Sequence, residues 1–132
     1  MTTAAGLRIG DDLAWVELAP DQEGPDLWRV TADWDSAFTA DFDAHLRAEE
    51  VAAFADALLA GVDSGGSFRL EVTASRSNPL LLQSILAGDG LAFLVRLTPK
   101  GHDTAVHLDL ELDPMDRAEL RGRIEEFRRS LV

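Results

Sequence analysis

Cysteine is absent from this chain of 132 residues, and disulfides, thiolate metal sites and cysteine nucleophiles go with it. The fold must be held by packing alone, which a single domain burying roughly two-thirds of its unfolded surface can manage. No apolar run approaches the ~20 residues that a membrane-spanning helix needs. The opening MTTAAGLRIG has neither the basic start nor the long apolar core of a secretion signal. With no thiols to oxidise, the expected compartment is the cytoplasm. Catalytic signatures are missing too. No serine sits in a G-x-S-x-G context, and the glycines punctuate turns instead of forming G-x-G-x-x-G or a phosphate loop. No basic, aromatic-interleaved face offers itself to single-stranded nucleic acid. These absences predict a protein that is no enzyme and needs no cofactor.

Basic side chains are scarce: 12 against 24 acidic ones, for a formal charge of −12. The imbalance is lopsided. Residues 1–66 hold three Arg and 14 Asp or Glu, a formal −11, while residues 67–132 hold nine basic and ten acidic residues, a formal −1. Such a field repels nucleic acid and anionic membrane and attracts basic proteins or cations. Solubility alone is the plainer explanation, and the concentration of charge in one half weighs against it.

Within that acidic half lies the most patterned stretch, Trp28 to Leu46. Trp28, Val30, Ala32, Trp34, Phe38, Ala40, Phe42, Ala44 and Leu46 share one parity; Arg29, Thr31, Asp33, Thr39, Asp41, Asp43 and His45 share the other. Alternation of this kind marks strands with one buried and one wet face. A two-residue loop would throw Phe38 to the polar side. A three-residue loop, Asp35-Ser36-Ala37, pairs Trp34 with Phe38 and keeps every aromatic inside. The prediction is a hairpin with an aromatic underside and a carboxylate-rich top.

Around it, Leu7–Ile9 and Leu13–Ala19 read as strands and Pro20–Asp26 as a loop. Trp15 alternates with the core candidates Ala14, Val16 and Leu18, so it is either open as a partner anchor or covered by that loop. Arg47–Val62 is amphipathic at helical spacing through Val51, Phe54, Ala55, Leu58, Leu59 and Val62, with Gly61 as its stop. Phe68–Ala74 is a strand. Leu80–Ala87 reads either as a short helix framed by Asn78, Pro79 and Gly88 or as a strand turning at Gly88-Asp89-Gly90 into Leu91–Thr98; the strand is preferred. A four-residue loop, Lys100–Asp103, then pairs Leu97 with Val106 and starts a strand over Ala105–Leu112. That strand has Val106, Leu108, Leu110 and Leu112 inside and His107, Asp109 and Glu111 outside. The last helix, 114–131, takes Asp113 as N-cap and Pro114 as its first residue, with Leu120, Ile124, Phe127 and Leu131 buried. A 66-residue shift lays Phe42 on Leu108 and Leu58 on Ile124, a weak internal echo.

His107 with Asp109 and Glu111, and His45 with Asp41 and Asp43, suit Zn²⁺ or Mn²⁺ in residue type. Spacing argues otherwise, since alternate strand residues stand about 6.8 Å apart and ligands of one ion must converge within about 4 Å. No metal site is assigned. A small metal-dependent enzyme using His45 and His107 is the weakest of three readings; a structural or scaffold protein is the second.

The order W-x-V-x-A, F-x-x-x-F, an A-E-E-V-x-x-F helix, two hairpins and a closing D-L-E-L-D-P-M-D-R-A-E-L segment resembles small bacterial proteins grouped with the WapI-type immunity proteins of contact-dependent toxin systems. The resemblance covers residues 13–131 and departs where S-R-S-N-P-L-L-L-Q-S replaces an aromatic-rich strand. It implies a compact α+β domain and partner binding without catalysis. The expectation is therefore one antiparallel sheet or half-barrel of six to eight strands, its apolar face covered by helices over about 47–62 and 114–131. A basic, toxin-like partner protein would bind through Asp33, Asp41, Asp43, His107, Asp109 and Glu111. Self-association stays open.

Overall fold

The computed structural model describes residues 5–24, 26–73 and 77–131. The chain is α+β and runs through the order ββββα twice. The first pass is β1 (Leu7–Gly10), β2 (Ala14–Pro20), β3 (Leu27–Trp34), β4 (Phe38–His45) and α1 (Ala48–Ser64). The second is β5 (Arg69–Glu71), β6 (Leu80–Ala87), β7 (Gly90–Leu97), β8 (Leu108–Asp116) and α2 (Arg117–Ser130). Each set of four strands is an antiparallel meander, so there are two four-stranded sheets where one larger sheet was expected. The reason is topological. Helix α1 separates β4 from β5, β5 pairs with β6, and β4 is left as an edge. At the other margin β1 and β2 lie against β8 through contacts such as the Gly10 amide on Met115 Sδ (3.1 Å), with no strand pairing.

One apolar core nonetheless runs through both halves. Val16, Val30, Val51, Leu58 and Val62 of the first pass and Leu82, Phe93, Leu112, Leu120 and Ile124 of the second are all buried in it. The helices pack on each other antiparallel. Arg128 of α2 pairs with Asp56 of α1, Arg121 with Asp63, and Arg117 donates to the Val62 carbonyl. Trp28 of β3 meets Phe127 of α2 edge-on at 6.2 Å.

Several boundaries move from their expected places. Gly61 lies inside α1, and the helix ends at Gly65, whose φ of 75° is the left-handed conformation that suits glycine at a helix end. The start of α1 lacks a small polar cap, yet Glu50 accepts from the Arg47 amide at 3.1 Å. Leu80–Ala87 is a strand, as preferred, and turns into β7 through Gly88-Asp89. The strand expected over Phe68–Ala74 shrinks to β5: Leu70 turns inward between exposed Arg69 and Glu71, Val72 and Thr73 beyond it are both buried, and Ala74 lies outside the described residues.

The largest shift concerns β8. Lys100–Asp103 and Asp103–Val106 form successive turns closed by main-chain hydrogen bonds, so the strand starts at Leu108 and pairs it with Leu97. Val106 is shed to solvent, 60% exposed. The parity survives because the delay is two residues. At its far end β8 continues through Pro114, which sits where the register slips between Leu91 and Phe93. A bulge on an edge strand is a place where a missing N–H does little harm, and it lets both Leu112 and Met115 point inward. Asp116, not Asp113, is then the N-cap of α2; its carboxylate accepts from the Glu119 amide at 3.0 Å.

Candidate partner-binding surface

The β3–β4 hairpin has the register that parity demanded, with Trp34 opposite Phe38, Val30 opposite Phe42 and Arg29 opposite Asp43. Its three-residue turn bends through Asp35 (φ 51°) and Ser36 (φ 60°), a left-handed pair. The Asp33 carboxylate accepts from the Ser36 amide at 2.9 Å and fixes the turn. Burial departs from expectation. Trp28, Val30 and Ala32 are buried, but Phe38 is 53% exposed, Trp34 is 37% exposed, and Ala40 and Phe42 are half-buried. The parity is right and the cover is missing: the helices reach β1, β5 and β8 more than the β4 edge.

On the opposite face, Arg29 holds Asp41 (2.6 Å), Asp43 (2.8 Å) and, at longer range, Asp21 (3.5 Å). Hydrogen bonding to Asp41, then the attraction of that and the neighbouring carboxylates, raises the Arg29 pKa. Arg29, Asp41 and Asp43 are exposed, so their pairs are screened by water and salt, while only 11% of the Asp21 side chain is open. One guanidinium faces three carboxylates, and the cluster remains negative. Trp15, also on this face, is half-buried, with the Arg8 guanidinium 3.8 Å above its ring.

The second predicted set belongs to the other sheet. Asp109 is gripped by Arg96 through two bonds of 2.8 and 3.0 Å, and this hydrogen bonding is the main reason its pKa falls. Glu111 stands on the same strand face, opposite Leu94, while its main-chain carbonyl accepts from the Trp34 indole at 3.2 Å. His107 does not share that strand. The two turns before β8 leave it in the loop, where Nδ1 lies 2.8 Å from the Thr104 carbonyl and Nε2 3.9 Å from Asp109. Asp33, Asp41 and Asp43 thus form one patch on the first sheet, and Asp109 and Glu111, with His107 beside them, form another on the second. His45 ends β4, exposed and opposite Leu27, so it does not join His107 on one strand pair. Among the described residues no three His, Asp or Glu side chains gather as a metal ion would require.

Two features escaped the sequence reading: the arginines that occupy each acidic patch, and the uncovered aromatic side of β4. Arg29 had a signal, since it shares parity with Asp41 and Asp43; the missing cover had none. No helix among the described residues is long and apolar enough to cross a membrane. No family matches the chain, and no curated protein or solved structure matches it.

Proposed function

We propose that this protein is a non-enzymatic binding protein, of the immunity or antitoxin kind, that takes a basic partner protein on its acidic sheet faces. The contacts would come from Asp33, Asp41 and Asp43 on one sheet and from Asp109 and Glu111, with His107 beside them, on the other. The observation carrying this reading is the surplus of carboxylate that remains on the first sheet after Arg29 is counted, since three aspartates share a single guanidinium. Fixed like charges on a strand face raise encounter rates with a cationic surface, toward about 10⁸–10⁹ M⁻¹s⁻¹ at low salt. The arginines already present also give the patch alternate polarity, which selects register as well as charge.

The test is association of the protein with a basic partner purified from its source cell, measured across ionic strength. A steep fall with salt is expected, together with about a tenfold slowing when Asp41, Asp43 and Asp109 become Asn and Glu111 becomes Gln. A rate unchanged in that quadruple variant overturns the reading.

A further inference from the structure

We propose that β4 is a strand-addition edge, taking an extended segment of a basic partner in which apolar residues alternate with Lys or Arg. This rests on the reading above and says how that partner is held.

Four strands end the two sheets, and three are shielded. β1 has four residues and packs against β8 and α2. β5 has three residues and touches α1. β8 lies against β1, β2 and α2 and is interrupted by the Pro114 bulge. β4 differs on each count. It runs eight residues in unbroken register, and among the described residues no main-chain hydrogen bond of Phe38–His45 goes anywhere but to β3. A long regular edge of unpaired N–H and C=O groups is a template for another strand.

Its two faces specify which strand. One side offers Phe38, Ala40 and Phe42, incompletely covered, with Trp34 beside them. The other offers Asp41 and Asp43. A strand laid alongside places alternate residues on each, so it needs apolar side chains at one parity and cationic ones at the other. A second copy of this chain fails the requirement. Its own Asp41 and Asp43 would come to the same face, and like charges across a strand pair repel. The same carboxylates that discourage self-pairing recruit a basic strand.

The experiment uses the whole protein and three end-capped nonapeptides: alternating Lys and Val, the same residues in separate Lys and Val blocks, and the alternating sequence methylated on every amide, so that neither edge can pair. Binding is measured by calorimetry and amide exchange by NMR. The alternating peptide is expected to bind at least about tenfold tighter than the block isomer and to slow exchange within residues 38–45. Methylation along the pairing edge abolishes this, and Phe38→Lys, at an exposed position, weakens binding about tenfold. Equal binding of the alternating and block peptides, without slowed exchange, overturns strand addition and leaves charge-driven docking standing. No peptide binding overturns strand addition as well, and the salt experiment then decides separately whether a basic partner is bound at all.

Discussion

The two ββββα passes share an element order but divide the work of charge between them. The first carries a formal −11 and the second −1. Part of that asymmetry is consumed inside the molecule: Arg128 and Arg121 of α2 reach Asp56 and Asp63 of α1, and Arg117 reaches the Val62 carbonyl at its end. The acidic half is therefore not simply a charged exterior. Its helix is tied down by the other half's arginines, whereas among the described residues Asp41 and Asp43 of β4 share Arg29. Net charge misleads until it is located, and the surplus that could serve a partner lies on the hairpin side.

If the passes are truly one unit, removing equivalent core residues should unfold both together. Arg47 and Asp116 are corresponding N-caps, and aligning them lays Leu58 on Phe127, each essentially buried. Leu58→Ala should cost about 2–5 kcal/mol and Phe127→Ala about 3–5 kcal/mol, each with a single transition in urea. Two separated transitions in either variant would show that the halves fold independently.

The helices should also answer one substitution with opposite signs. A methyl group at Gly61 of α1 would sit 2.7 Å from the Phe68 ring, which is held against Phe93 at 6.0 Å. Gly61→Ala should destabilise by about 1–3 kcal/mol through overpacking, despite alanine's better helix propensity. Gly122 of α2 has nothing within 4 Å of that position, so Gly122→Ala should stabilise by about 0.5–1 kcal/mol. Thermal melts of the two variants shifting in the same direction would break the contrast.

These features differ in how far the sequence reveals them. Strand parity was legible because it is local: the hairpin register, the inward Leu108 and Leu110, and the stripe of α1 follow from spacing. The 66-residue echo pointed to the repeat and aligned its helices one turn off; their caps align Val51 with Leu120 and Ala55 with Ile124 instead. What failed depended on partners distant in sequence. Whether Phe38 is covered is settled by where the helices lie, not by its neighbours. Val106 looked like core because it shares parity with Leu108, and only the turns at Lys100–Val106 remove it. Pro114 looked like a helix start because the bulge that admits it is set by β7, across the sheet.

The helix starts give a smaller contrast. Asp116 caps α2 with its own carboxylate, so Asp116→Ala should cost about 1 kcal/mol. The Arg47 side chain offers no acceptor to α1, and Arg47→Ala should stay within about 0.5 kcal/mol. Urea midpoints of the two variants measure the difference, and equal losses would mean that the caps are equivalent after all.

The finest contrast lies in how the halves respond to acid. Glu50 has its pKa lowered chiefly by the Thr73 hydroxyl, then by the Arg47 amide; Asp109 has its pKa lowered chiefly by Arg96. Both folded values lie below the ordinary ones of 4.5 and 3.8, so each group contributes stability at neutral pH. That contribution is lost as pH falls through the ordinary value toward the folded one. Glu50→Gln and Asp109→Asn should therefore each flatten the acid limb of the stability curve. Salt should separate them. The Arg96–Asp109 pair is exposed and screened, whereas the main donors to Glu50 are neutral and its carboxylate is more sheltered, with 22% of the side chain exposed. Unfolding in urea from pH 7 down to about 3, at low and at molar salt, should show the Asp109 effect shrinking and the Glu50 effect persisting. Equal shrinkage would mean that the Glu50 site, too, is held by charge, through Arg47.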